Sequence, residues 1–286
     1  MRDHAPFPSS DPAIFKYNTC VPRKPTLSPT KLATFLACPL KYRWTYVDDR
    51  GRWYLKAKSY YSFGSTLHKV LERFHDGGDA GVSTTDEAIV AYEEGWIEAG
   101  YSSAEEMHEA FGEGKEILER YVGQALMRPS DATVLAVEKQ LRMPFGEEFD
   151  LIGRIDRIDE YPDGSLEIVD YKSGRSEVTT EDVASDLAMG IYQLLVRDRF
   201  PGRPVAATIV ALRTGRFATH SLADDQASEL IQDLWELGRI VLATNWEDKQ
   251  PVFKSVCPRC DFFELCRRDE EFAVSASSLV NDEARL

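Results

Sequence analysis

The chain has 286 residues, with 34 Lys and Arg against 48 Asp and Glu and a formal net charge of −14. Binding a polyanion by counterion release needs clustered positive charge, so this balance excludes a general nucleic-acid-coating surface and confines any such contact to a local basic patch. At 43% hydrophobic and 29% charged residues the composition is that of an ordinary globular protein, long enough for one large domain or two modest ones. No stretch approaches the roughly 18 apolar residues of a membrane span, and residues 1–26 are polar and Pro-bearing without the apolar core of a signal peptide. These features read as a cytoplasmic protein with no membrane association.

Residues 1–26 are read as a flexible leader and 27–286 as a single domain. Ser28-Pro29-Thr30 supplies an N-cap followed by Pro at the first helical position, and Leu32, Phe35 and Leu36 give that helix an apolar stripe. Cys38-Pro39 interrupts it. Residues 41–61 then alternate basic and aromatic side chains, with six Lys or Arg against Asp48 and Asp49. Such a segment suits single-stranded nucleic acid, aromatics stacking on bases while cations follow the backbone; an amphipathic helix with its aromatics in the core reads equally well. Phe63, Leu67, Leu71 and Phe74 predict a second helix, which carries His68 beside its apolar stripe. Residues 84–128 form an acidic helical insertion broken near Gly100. Strand patterning occupies 134–143, 149–160 and 166–171, followed by one helix over 180–199, a strand pair at 205–212 and 217–222, and a long helix from Asp224 to about Trp246. This order predicts an α/β fold with a mixed, mainly antiparallel sheet flanked by helices.

The stretch Gly153-Arg-Ile-Asp156-Arg-Ile-Asp159 through Asp170-Tyr171-Lys172-Ser-Gly174 carries the most chemistry. Tyr161-Pro162-Asp163-Gly164 suits a three-residue hairpin loop with Gly in the left-handed slot. That loop sets a register in which Asp156 faces Asp170, a like-charge pair that destabilises a hairpin unless something neutralises it. Lys172, two residues on, points to the same face. Two carboxylates and an amine at one spot suit phosphodiester hydrolysis: hard oxygens for Mg²⁺ or Mn²⁺, and an amine to orient water or stabilise developing charge. A surface hairpin with scattered charges is the bland alternative, weakened by the Ile and Val residues that make both strands look buried, where unpaired carboxylates are costly.

Cys257, Cys260 and Cys266 lie within ten residues and Cys38 stands 219 positions upstream; with Cys20 the count is five, odd and unevenly spaced, unlike a disulfide framework. Three clustered thiols need a fourth. A tetrathiolate site takes zinc or an iron–sulfur cluster, and spacing does not separate the two. Either would join the two ends of the chain and offset loop-closure entropy.

On these residues the chain resembles the PD-(D/E)xK nuclease superfamily, and within it the RecB-like exonucleases. The matching pattern is His68 in Gly64-Ser-Thr-Leu-His68, Glu138 in Val137-Glu138-Lys139, Asp156, Asp170 with Lys172, and Tyr192 in Gly190-Ile-Tyr192-Gln. The resemblance implies a restriction-endonuclease-like core and a metal-dependent DNA exonuclease acting on single strands or frayed ends. It also implies His68, Asp156, Asp170 and the Tyr171 carbonyl as ligands of Mg²⁺ or Mn²⁺, with Lys172 as the catalytic amine. Glu138 opens the meander, and Tyr192 helps to position DNA. The family often has Gln four residues before that Tyr, where this chain has Ala188. The four cysteines look like the [4Fe–4S] clamp of the subgroup that includes the AddB nuclease domain and the CRISPR-adaptation exonucleases, with Cys20 a leftover free thiol. Lys41, Arg43, Trp44, Arg52 and Tyr192 are the expected DNA contacts, and Arg197, Arg199, Arg203, Arg213 and Arg216 form a second basic patch. With no Gly-x-x-x-x-Gly-Lys-Ser/Thr loop present, any translocation is expected from a separate helicase, and a CRISPR integrase is the other expected partner. A non-catalytic DNA-end scaffold and a zinc-stapled endonuclease are the competing readings.

Overall fold

The chain enters the fold through a two-residue strand, β1 (Thr26–Leu27), which pairs in parallel with the start of β3 (Phe149–Glu160). The computed structural model describes residues 24–77, 81–174 and 177–283; Cys20 lies outside them. The leader as read from sequence therefore ends early, because Thr26 is already strand and the Pro25 carbonyl accepts a hydrogen bond from the Asp150 N–H at 2.9 Å. Two residues of strand are too short to leave a periodic signal.

Helix α1 (Pro29–Ala37) begins as the sequence predicts, with the Ser28 hydroxyl accepting from the Lys31 N–H. Cys38 ends α1 and caps α2 (Pro39–Tyr42), which runs into one π-helical turn at Arg43–Val47 and then the short α3 (Gly51–Tyr54). Helix α4 (Ser59–Asp76) stops at Gly77 in the left-handed conformation, φ 62°. The acidic insertion is two capped helices, α5 (Thr85–Glu94) and α6 (Ala104–Met127).

A six-stranded sheet follows. Strand β2 (Thr133–Phe145) runs antiparallel along nearly all of β3, and β3 returns through the Tyr161–Ser165 turn to β4 (Leu166–Lys172). Gly164 takes φ 86°, as the three-residue loop demands. The predicted register holds, with Ile158 opposite Ile168 and Arg157 opposite Val169. Strand β5 (Val205–Ala211) lies parallel to β4, and β6 (Arg216–His220) closes the sheet antiparallel to β5. The sheet is mixed and mainly antiparallel, as the pattern of strands predicts.

The crossover between β4 and β5 is two helices rather than the single one expected: α7 (Thr180–Ser185) stops at Asp186, whose carboxylate caps α8 (Leu187–Arg199) by accepting from the Ala188 and Met189 N–H groups. An internal Asp that caps a fresh start breaks the helix without any Gly or Pro to announce it. Helix α9 (Asp224–Ala243) crosses the same face, and α10 (Phe263–Cys266) and α11 (Glu270–Glu283) end the described chain. Alternation along the strands splits the core in two. Ile158, Ile168 and Ile209 pack with α8 and α9, whereas Val169, Tyr171 and Leu212 pack with α4, α5 and α6. The result is a sheet between two helical layers. Among the described residues no helix is long and apolar enough to cross a membrane.

Candidate active site and cysteine clamp

β1 and β4 share one edge of β3, β1 reaching Leu151 and the β4 ladder ending at Arg157. Between them the edge is open, and Asp156 sits in that opening. The Tyr171 N–H, two residues past the end of the ladder at Val169, is satisfied by the Asp156 carboxylate at 2.9 Å; a side chain takes over where the backbone pairing stops. Helix α4 enters the same opening. His68 places Nε2 2.9 Å from the Tyr171 carbonyl oxygen and Nδ1 3.4 Å from Asp156 Oδ2. Burial alone would lower the His68 pKa, but Asp156, Asp170 and that carbonyl outweigh it and the net effect is to raise it.

Glu138 completes a trio with His68 and Asp156, one ligand atom from each lying within 4.8 Å of the others. Its backbone is held at φ 46°, inside a strand. A left-handed conformation there costs a non-glycine residue on the order of 1–2 kcal/mol and re-aims the side chain out of the normal alternation. Burial and the Asp156 charge raise the Glu138 pKa, opposed by Arg154, whose Nε is 2.5 Å from Glu138 Oε2. Carboxylates held together at this cost are a donor set suited to a hard divalent cation.

Asp170, expected from sequence to join the ligands, lies outside this trio. Its Oδ2 forms an ion pair with Lys172 Nζ at 2.6 Å. Burial pushes its pKa up to about 6, with Lys172 opposing and Asp156 reinforcing the shift. On Lys172 burial is again the largest influence and disfavours the ammonium, but Asp170, Asp186 and Asp156 together outweigh it and the pKa is raised. Lys172 is therefore a firm cation. Tyr192, from α8, lines the cleft beside Lys172 together with Lys41 of α2 and Asp182 of α7, and burial followed by the charges of Asp170 and Asp156 raises its phenol pKa. Its ring lies against Gly153, where a Cβ would sit 2.8 Å from Tyr192 Cε1, which explains why that position is glycine.

Several residues that the sequence did not single out complete the site. Arg154 holds Glu138. Arg157 Nη1 lies 2.7 Å from the Tyr171 hydroxyl, 3.0 Å from the Tyr121 hydroxyl and 2.7 Å from His75 Nε2, so that its two hydrogens are shared among three acceptors. His75 lies seven residues, two turns, beyond His68 on α4, the one sequence signal for it. This network clamps the Tyr171 side chain while its N–H and carbonyl serve the site.

The expected DNA contacts divide. Lys41 lines both the Lys172 cleft and the cysteine cavity. Arg43 is engaged with Asp48 at 3.1 Å and with the Trp246 carbonyl, and Trp44 packs on Phe262 with ring centroids 5.4 Å apart. Arg52 is exposed beside Asp49. The second basic patch is largely neutralised, because Arg197, Arg203, Arg213 and Arg216 face Asp224, Glu160, Glu113 and Glu177 respectively.

Cys38, Cys257, Cys260 and Cys266 line one cavity of about 880 Å³. The Lys41 N–H donates to Cys38 Sγ at 3.5 Å and the Lys254 N–H to Cys257 Sγ at 3.3 Å. Burial, then the other three thiols, pushes Cys266 up to about 12, and burial raises Cys260. Phe262, fully buried against Trp44 and Tyr54, and a 2.6 Å Lys58–Asp261 ion pair dock this segment onto the N-terminal helices.

The chain is similar to several known proteins. Two curated relatives, each named as a subunit of an ATP-dependent helicase/deoxyribonuclease, from Thermoanaerobacter sp. (strain X514) and Thermoanaerobacter pseudethanolicus (strain ATCC 33223 / 39E), are 36% identical over 89 residues, 28% of this chain. The match spans 8% of the length of those relatives. A solved structure titled "Crystal structure of SSO0001" aligns over 84% of this chain and 85% of its own at 15% identity, with a TM-score of 0.38. The PD-(D/E)XK nuclease superfamily profile matches residues 26–267, and with that span covering every strand and the site between them, the chain belongs to the PD-(D/E)XK nuclease superfamily.

Proposed function

We propose that this protein is a metal-dependent DNA exonuclease acting on single-stranded or frayed ends, with an iron–sulfur cluster joining the two ends of its fold. The observation that carries the reading is the Lys172–Asp170 ion pair set beside the His68, Glu138 and Asp156 trio. The donors, two carboxylates and an imidazole with the Tyr171 carbonyl at hydrogen-bond distance from that imidazole, suit Mg²⁺ or Mn²⁺, and Asp170 lies close enough to influence the titration of His68. A divalent cation bound by these groups supplies Lewis-acid polarisation of a phosphoryl oxygen and a more acidic water. Lys172, held protonated by Asp170, is unsuited to act as a base. It donates hydrogen bonds, orienting the attacking water and stabilising the negative charge that develops on the phosphoryl group. Asp170 fixes that ammonium, and Tyr192 bounds the cleft through which a strand reaches it.

The four cysteines line one cavity, and the other three act on the Cys266 thiol. Such a set takes either a zinc ion or an iron–sulfur cluster, and the likeness of its spacing to the clamp of the RecB-like subgroup supports the [4Fe–4S] cluster. An anaerobic preparation should contain iron and acid-labile sulfide; zinc without iron would reject this assignment.

The cellular setting is inferred from the sequence and from what the relatives are called. A setting in which a helicase does the work along DNA is supported by the helicase/deoxyribonuclease relatives. Processing of DNA for a CRISPR integrase is the alternative setting. Degradation of linear single strands with sparing of closed circles tests the exonuclease reading, and cutting of circles would overturn it.

A further inference from the structure

The segment between the cysteine clamp and the active site divides its aromatics sharply. Tyr42 is buried, and Trp44 and Tyr54 pack on Phe262. Trp53, Tyr60 and Tyr61, in contrast, are 70%, 59% and 66% exposed. A lone exposed aromatic is ordinary, but three within nine residues forgo a large burial gain that the neighbouring rings obtain. Arg52 covers one face of Trp53, its Cζ 4.0 Å from the ring centroid, and the Tyr60 and Tyr61 rings lie together at 4.4 Å.

Their position relative to the chemistry is set by α4. Tyr61, Gly64 and His68 are spaced by three and four residues and so share one face of that helix. Gly64 approaches β4 so closely that a Cβ would lie 3.0 Å from the hydroxyl of Ser173, the residue after Lys172. Along this face, therefore, His68 comes first, the end of β4 next, and Tyr61 beyond it. Seven residues separate Tyr61 from His68, about 10 Å along the helix axis, or about three nucleotides at the 3.4 Å rise of one DNA strand. On its other side Tyr60 is close enough to the Lys58–Asp261 ion pair of the clamp to feel both charges.

We propose that Tyr60 and Tyr61, with Trp53, form a base-stacking platform that holds the unpaired bases of a single DNA strand a few nucleotides from the site of cleavage. The proposal rests on the nuclease reading and adds to it the means of choosing single strands. Ring faces bind bases whatever their identity, but only when those bases are unpaired, so the platform selects strandedness and not sequence. Lys56, exposed beside it, and the Arg52 guanidinium offer charge to the backbone.

The test is fluorescence anisotropy with a fluorescein-labelled 20-nucleotide oligo(dT), an abasic 20-mer and a blunt 20-base-pair duplex, with Ca²⁺ in place of Mg²⁺ or Mn²⁺. Tyr60→Ala/Tyr61→Ala, and separately Trp53→Ala, should weaken oligo(dT) binding at least about fivefold, leaving the abasic strand and the duplex unchanged. Tyr60→Phe/Tyr61→Phe should bind oligo(dT) like the wild type, since the ring is kept. Equal oligo(dT) affinity for the wild type and the double alanine variant overturns the proposal, as does an equal loss on the abasic strand. A wild-type protein that shows this binding pattern but does not cleave in Mn²⁺ refutes the nuclease reading and leaves the platform standing; one that cleaves while the alanine variant binds normally refutes the platform alone.

Discussion

His68 Nε2 lies 2.9 Å from the Tyr171 carbonyl oxygen, tying helix α4 to strand β4 where the β3–β4 ladder ends. The contact aims Nδ1 at Asp156 and sets the carbonyl at the rim of the site. In the proposed mechanism His68 and Asp156 bind the cation together, so His68→Ala should weaken Mn²⁺ binding by at least about tenfold. Calorimetric titration with Mn²⁺ checks this, and an unchanged affinity would remove His68 from the ligand set.

Asp170 predicts a conflict between stability and activity. Its folded pKa is raised by burial to about 6 from a usual 3.8. The folded protein therefore binds a proton more tightly than the unfolded chain. Stability from this group is present at low pH and is lost as pH rises from about 4 to 6. At neutral pH the metal-free protein carries a costly buried carboxylate. Asp170→Asn should stabilise it by about 1 kcal/mol, allowing for the lost pair with Lys172, while removing activity. Urea denaturation in EDTA at pH 7.5 measures the effect; a less stable variant would contradict it.

His75 gives the opposite pH dependence. Burial, and then Arg157, depress its pKa from 6.5 to about 3. The unfolded chain takes up the proton first, so this contribution is present above pH 6.5 and is lost as pH falls toward 3. The loss amounts to about 2 kcal/mol between pH 6.5 and 5. His75→Gln, which keeps an acceptor for Arg157, should flatten the stability profile over that window. A profile as steep as the wild type's would show that other groups govern the acid limb.

Gly153→Ala tests the packing that seats Tyr192. The added methyl would lie 2.7 Å from Leu195 Cδ1 and 2.8 Å from Tyr192 Cε1, both on α8. Relief requires that helix to shift, at a cost of about 1–3 kcal/mol. A thermal melt and a cleavage assay should both register the change; wild-type values in both would mean that α8 yields freely.

The balance of what the sequence reveals follows from the range of the interactions. The Tyr161–Ser165 loop has local turn chemistry, and from it the β3–β4 register follows residue by residue to Arg157 opposite Val169. The end of that ladder is not local. It depends on α4 wedging His68 into the opening, 103 residues from Tyr171 in sequence. The left-handed backbone of Glu138 is offset by tertiary contacts and leaves no glycine to mark it. Four of the five arginines read as a basic patch are neutralised by acidic partners that lie far from them in sequence. Asp186 reads as one more polar residue in a helix, and only its capping carboxylate reveals the start of a new one.

In the proposed mechanism Lys172, held as a cation by Asp170, stabilises the transition state of phosphodiester hydrolysis. The most direct measurement compares the wild type with Lys172→Ala on a 5′-labelled linear single strand in Mn²⁺, under single-turnover conditions and with binding checked in Ca²⁺. The predicted result is unchanged binding with cleavage slowed by at least about 100-fold, the usual scale for losing one charge-stabilising donor. Equal cleavage rates for the two proteins would contradict it.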